Sequence, residues 1–330
     1  MSKKHEKLVQ KTNQQNLVLL DSIGPKPSLC HNERMNYTLE NNVLRIGVTS
    51  FGGNLTSVFD KTRNEELFYQ PLPESWQRQD HFLFPFTGRM VNGSYLYRGK
   101  TYTMPMHGLL LNQEGRGRKV SENTIEIVFI SNEETLIHYP FPFEAKAAFS
   151  LLPHGVQVTY EIQNKGDSTL IFGLGGHPAF RVPCQKDSNG LLETSGNTLL
   201  LPPCKEEIKM TELLPGGFVS NRLLIVPGLQ NNVMDLSSDF FRKVDTAILD
   251  SRDFKDVVLN KKDGSKIRFH LGTAPHLCLW RDLKGDFVAI EPWLSTPDVL
   301  PLEKDLEKKK NLIHLAAGKT FIYSYSFDME

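Results

Sequence analysis

The chain has 330 residues, and its 38 Lys plus Arg are balanced by 38 Asp plus Glu, so no excess of positive charge points to nucleic acid or to an anionic membrane surface. No stretch approaches the roughly 18 consecutive apolar residues of a membrane helix, and the basic start, Met1 to Lys7, lacks the apolar region of a secretory signal behind it. These features predict a cytoplasmic protein with a small or neutral partner, acting without nucleic acid or membrane.

Residues 1–32 are polar, rich in Lys, Gln and Asn, and without a steady period, which predicts an N-terminal extension that is either a short helix or a loose tail. From Asn36 onward the rhythm is that of short apolar segments broken by turns. Tyr37 to Glu40, Asn41-Asn42 and Val43 to Thr49 read as strand, turn, strand. Thr124 to Ile130 alternates. Ala147 to Leu152 and Val156 to Gln163 are joined through Pro153-His154-Gly155, which predicts an antiparallel hairpin with His154 in its turn. Asp263-Gly264, between Val257 to Asn260 and Lys266 to Leu271, predicts a type I′ hairpin. Leu302 and Leu306 predict one short charged helix within Pro301 to Lys310, with Lys308-Lys309-Lys310 as a solvated face. Finally, Phe321, Tyr323, Tyr325 and Phe327 share one face of a strand. Many short strands and almost no helices predict an all-β fold, an antiparallel sandwich or barrel. No shift in composition divides residues 33–330, which therefore read as a single domain. Cys30, Cys184, Cys204 and Cys278 form no Cys-x-x-Cys pair and read as free buried thiols, without a zinc site or a disulfide framework.

Three punctuated stretches stand out from this background. In Phe172 to Val182 an apolar run meets Gly175-Gly176 and delivers His177 just before Pro178. Glycines permit backbone angles and close approaches that a side chain blocks, and a proline pushes the preceding residue towards an extended conformation. Pro105-Met106-His107-Gly108 and Ala289-Ile290-Glu291-Pro292-Trp293 likewise place one ionisable residue beside Gly or Pro at the end of an apolar segment. Two histidines and a glutamate converging in one cleft would make an acid/base site. Glu291 is the most telling, because an unpaired carboxylate buried in an apolar strand end is costly.

The order of such segments resembles the aldose 1-epimerase (galactose mutarotase) family, particularly its LacX-like bacterial branch. The matching text is Ser50-Phe-Gly-Gly-Asn-Leu-Thr-Ser-Val-Phe-Asp60, Pro85-Phe-Thr-Gly-Arg-Met90, Pro105-Met-His-Gly108, Gly175-Gly-His-Pro-Ala-Phe180 and Ile290-Glu-Pro-Trp-Leu-Ser-Thr-Pro-Asp298. The resemblance covers roughly Asn36 to Phe327. It implies a large antiparallel β-sandwich of the galactose mutarotase-like supersandwich type, which interconverts the α and β anomers of a free aldohexose without metal or cofactor. It also implies His177 as general acid, Glu291 as general base, His107 and Arg89 as sugar-binding groups, and a late aspartate in the same role. Asp245 is the best match for that aspartate, with Asp250 and Asp253 as competitors. Trp293 and Phe180 are candidates to stack on the sugar, or equally to pack in the core.

Two departures qualify the substrate. Leu109-Leu110-Leu111-Asn112 follows the His-Gly pair where the family usually has Phe-Ala-Arg, which argues against a hexose 6-phosphate, since phosphate recognition prefers arginine forks. Leu294-Ser295-Thr296 stands where Tyr-Gly-Leu is common after Glu-Pro-Trp. The alternatives are therefore a hexose-6-phosphate 1-epimerase and a non-catalytic carbohydrate-binding or regulatory protein of the same fold. A monomer or weak homodimer is expected.

Overall fold

The computed structural model describes residues 35–330. The predicted N-terminal extension and Cys30 lie outside the described residues. Strand Gly155–Asn164 illustrates how pattern becomes structure. Val156, Val158, Tyr160 and Ile162 are fully buried while the residues between them are half-exposed, because successive side chains leave a strand on opposite faces. This strand pairs antiparallel with Phe143–Leu151, from Leu151↔Val156 to Phe143↔Asn164, and His154 sits in the connecting turn, as the sequence predicts.

That hairpin is the middle of a nine-stranded sheet that also holds Thr320–Met329, Lys266–His270, Asp256–Asn260 and Thr124–Ile130. A second nine-stranded sheet is built around Thr246–Asp250, His276–Trp280 and Phe287–Trp293, with Gly175–Gly176 and Phe82–Leu83 beyond them. The inner faces of the two sheets meet through aromatic rings. Phe82 stacks on Tyr160 with ring centres 4.2 Å apart, and Phe180 meets Phe327 edge-on at 5.0 Å. Such pairs add about 0.5–1.5 kcal/mol each beyond the area they bury. The chain is thus an all-β sandwich. Phe180 is fully buried between the sheets, so it is a core residue and its sugar-stacking alternative is withdrawn.

Several local expectations need correction. The Asp263-Gly264 hairpin is not type I′, which requires positive φ at both central residues. Only Gly264 (φ 88°) has it, and the Gly264 N–H donates to Lys261 O, giving a three-residue loop with Gly264 in the left-handed position. No α-helix covers Pro301 to Lys310. A single 3-10 turn, Leu306–Lys308, forms there. Lys309 does not belong to a solvated face: its side chain is buried against Asp298 and also donates to Glu303 O at 2.7 Å. Among the described residues the α-helices are instead Glu133–His138 and Ser238–Val244, both too short to show a clear helical period in the sequence. Of the thiols, Cys278 is buried but Cys184 and Cys204 are half-exposed. No helix among the described residues is long and apolar enough to cross a membrane.

Candidate active site

Strand Phe287–Trp293 is buried along its whole length, so every side chain on it faces either the core or a closed pocket. Ile290 joins the core between the sheets. Glu291 therefore points the other way, and it is only 1% exposed. Trp293, two residues on, shares that face and donates its indole Nε1–H to Glu291 Oε2 at 3.0 Å. Cys278, directly opposite Glu291 in the ladder, donates its thiol to Oε1 at 3.8 Å.

On the other side of this strand the paired glycines bring His177 in. Neither has a positive φ. What they supply is room: a Cβ on Gly175 would lie 2.9 Å from Trp293 Cδ1, and one on Gly176 would lie 2.8 Å from the Tyr325 hydroxyl of the facing sheet. The chain then anchors through Pro178 O, which accepts the Ile290 N–H at 3.1 Å. The result is His177 Nε2 standing 3.4 Å from Glu291 Oε2. Burial drives the Glu291 carboxyl well above its ordinary range, against the pull of the Trp293 and Cys278 hydrogen bonds. Burial, and then the neighbouring His107, drives the His177 imidazole well below its own. Although the separation would suit an ion pair, low polarity favours the uncharged form, so the two groups hold one proton between them over a wide pH range.

Above this floor lies a cavity of about 440 Å³, a size suited to small ligands. Arg89, His107, Asp245 and Trp293 all line it with His177, with Glu291 just beneath, whereas Phe180 lies in the core. Two of them sit on unusual backbone. His107 has φ 65° and Asp245 has φ 59°, a region that non-glycine residues seldom occupy and that concentrates at functional sites. The His-Gly pairing has a clear steric reason, because Gly108 is at φ 84° and a Cβ there would lie 2.1 Å from Phe84 O. His107 Nδ1 accepts the Gly88 N–H at 3.2 Å, which places the imidazole proton on Nε2. Burial and the nearby Arg89 charge lower the His107 pKa to about 4, so it is neutral near pH 7. Asp245 ends helix Ser238–Val244 and projects to the cavity. Of its competitors, Asp250 is engaged by Arg252, and both it and Asp253 line a different pocket.

Sequence reasoning missed the wall formed by the irregular segment before Phe82–Leu83. Trp76, Arg78 and His81 all line the cavity, with Trp280 facing them. Trp76 stacks on the His177 ring at 4.7 Å and 28°. Arg78 donates to Leu111 O at 2.9 Å and to Asn112 Oδ1 at 2.8 Å, so an arginine from elsewhere in the chain rests on the segment that lacks one in its own sequence. One signal was available. The chain has three tryptophans, and all of them line this cavity.

Comparison with known proteins agrees with the fold. The chain is 28% identical over 307 residues to the plasmid-encoded protein LacX of Lactococcus lactis subsp. lactis, covering 88% of this chain and 98% of LacX. It is 30% identical to a galactose mutarotase related enzyme from Lactobacillus acidophilus of known structure, with a TM-score of 0.82 over 90% of this chain and 97% of that one. A galactose mutarotase-like protein from Lactobacillus casei, at 24% identity and a TM-score of 0.83, shares the fold over 90% of this chain and 100% of its own. The aldose 1-epimerase family matches residues 35–328, and the chain belongs to that family.

Proposed function

We propose that this protein is an aldose 1-epimerase that interconverts the α and β anomers of a free hexose by acid/base ring opening. The observation that carries the reading is the 3.4 Å approach of His177 Nε2 to Glu291 Oε2 on the floor of the cavity. In a cyclic aldose the anomeric hydroxyl and the ring oxygen are bonded to the same carbon, so an acid and a base that must serve both need to stand side by side. Glu291 takes the proton from the anomeric hydroxyl while His177 gives one to the ring oxygen. The C1–O5 bond breaks, an open-chain aldehyde forms, and rotation about C1–C2 presents the other carbonyl face before the steps reverse.

The productive charge state, carboxylate and imidazolium, holds the same number of protons as the uncharged pair. Moving one proton across the contact interconverts them. His107 offers its Nε2–H to a sugar oxygen, Arg89 and Asp245 take further hydroxyls from the rim, and Trp293 orients the base while its ring borders the sugar. This role for Trp293 differs from simple stacking, because its N–H reaches the carboxylate directly. Polarimetry on freshly dissolved α-D-glucose and α-D-galactose tests the reading. Rotation should relax faster with enzyme than in buffer, and no acceleration for any free aldose would overturn it.

A further inference from the structure

His81 belongs to none of the segments that carry the family resemblance, yet it is built into the same cavity. It is 4% exposed, it lines the space beside His177, and its ring stands edge-on to His177 at 5.4 Å and to Trp76 at 5.2 Å. Its ring also lies 6.4 Å from that of His107, so three imidazoles surround one small volume. The main chain at this point is held firmly. Asp80, buried at 1% exposure, accepts the His81 N–H at 2.7 Å and the His177 N–H at 3.3 Å on one oxygen, and the Leu55 N–H at 3.2 Å on the other. One carboxylate thus ties the wall to the floor.

The side chain, by contrast, is unsatisfied. His81 Nδ1 is buried without a hydrogen-bond partner among the described residues. Burying a polar ring without partners is unfavourable, and a phenylalanine would fill the same space without that cost. An imidazole kept there gains its return when a ligand completes its hydrogen bonding.

We propose that His81 is a specificity-determining residue whose imidazole hydrogen-bonds a hydroxyl of the aldose other than the anomeric one, with Asp80 as the positioning residue that sets its place relative to His177. The proposal rests on reading the cavity as an aldose site. A hydroxyl bound this way is recognised by the loss incurred when it is missing, because the analogue leaves the buried ring unpaired.

The test compares wild type with His81→Phe on glucose, galactose and the set of monodeoxyglucoses. Affinity is read by quenching of the three cavity tryptophans and kcat/KM by polarimetry. Wild type should lose about tenfold or more on at least one deoxy sugar relative to glucose. His81→Phe should bind glucose correspondingly less well and show no further loss on that same sugar. Equal losses in both proteins across the whole set overturn the proposal, as does a wild type that binds none of these sugars. Should His81→Phe fail to fold, His81→Gln serves the same comparison, its amide being expected to restore part of the discrimination that other substitutions abolish. Binding without mutarotation would overturn the proposed function while leaving the His81 comparison intact.

Discussion

The floor and the wall of the cavity are constructed on different principles. Glu291 and Trp293 stand on a fully buried strand whose register against His276–Trp280 and Gly175–Gly176 is set by main-chain ladders on both sides. A slip of one residue there would turn the carboxylate into the core, so the geometry of the proposed acid/base pair is inherited from the sheet itself. Trp76, Arg78 and His81 lie on a segment with little regular structure, held by side-chain contacts such as Asp80 to three backbone N–H groups and Arg78 to Leu111 O. The difference teaches where each property resides. On the proposed reading, chemistry that tolerates little displacement is placed on paired strands, and selectivity is placed on an irregular segment beside them.

The strongest test of this division removes the proposed base. Glu291→Gln keeps shape and burial but cannot accept the proton, so kcat should fall by about 10²–10⁴, while sugar affinity, read by tryptophan quenching, stays near that of wild type. A comparable loss of affinity would mean that floor and wall are not separable. A smaller effect of opposite kind is expected at the rim. Arg89→Met removes an exposed cavity-lining guanidinium, and KM should rise about tenfold with kcat little changed, the usual size for one lost hydrogen bond to a charged group. A fall in kcat with unchanged KM would place Arg89 in the chemical step instead.

The smallest effect concerns pH. The proposed mechanism requires one proton on the His177–Glu291 pair. It should therefore decline on the acid side when His177 takes up a second proton, below the ordinary histidine range, and on the alkaline side when the shared proton is lost, well above the ordinary carboxylate range. Trp293→Phe deletes a hydrogen bond that lowers the Glu291 pKa. The alkaline limb of the rate profile should then move to higher pH, with a loss of only a few-fold at the plateau. A limb that stays in place would show that the indole N–H does not tune the base.

Much of this was legible from residues in order. Strand alternation such as Val156 to Ile162 reports directly on which side chains are buried, because the period of a strand is local. Punctuation was equally readable: His107-Gly108, Gly175-Gly176-His177-Pro178 and Glu291-Pro292 each combine an ionisable residue with a backbone constraint inside a few positions. The convergence of Trp76, Trp280 and Trp293 was not, since it is made by the sheet order together with the irregular segment before Phe82–Leu83. Lys309 was misread for the same reason, its partner Asp298 being brought near by the turn at Leu306–Lys308 rather than by any helical spacing.

By itself, then, the order of residues determined the all-β character of the chain and marked His107, His177 and Glu291 as candidates, because period and steric punctuation act over a few neighbouring residues; Arg89, Asp245 and the roles proposed for all of them came from the family resemblance. Only the tertiary structure decided that His177 and Glu291 stand 3.4 Å apart, that Trp293 serves the carboxylate, and that Trp76 and His81 complete the wall. Those relations depend on strand register and on the close approach of two sheets at Gly176 and Tyr325, which bring together atoms that lie far apart along the chain.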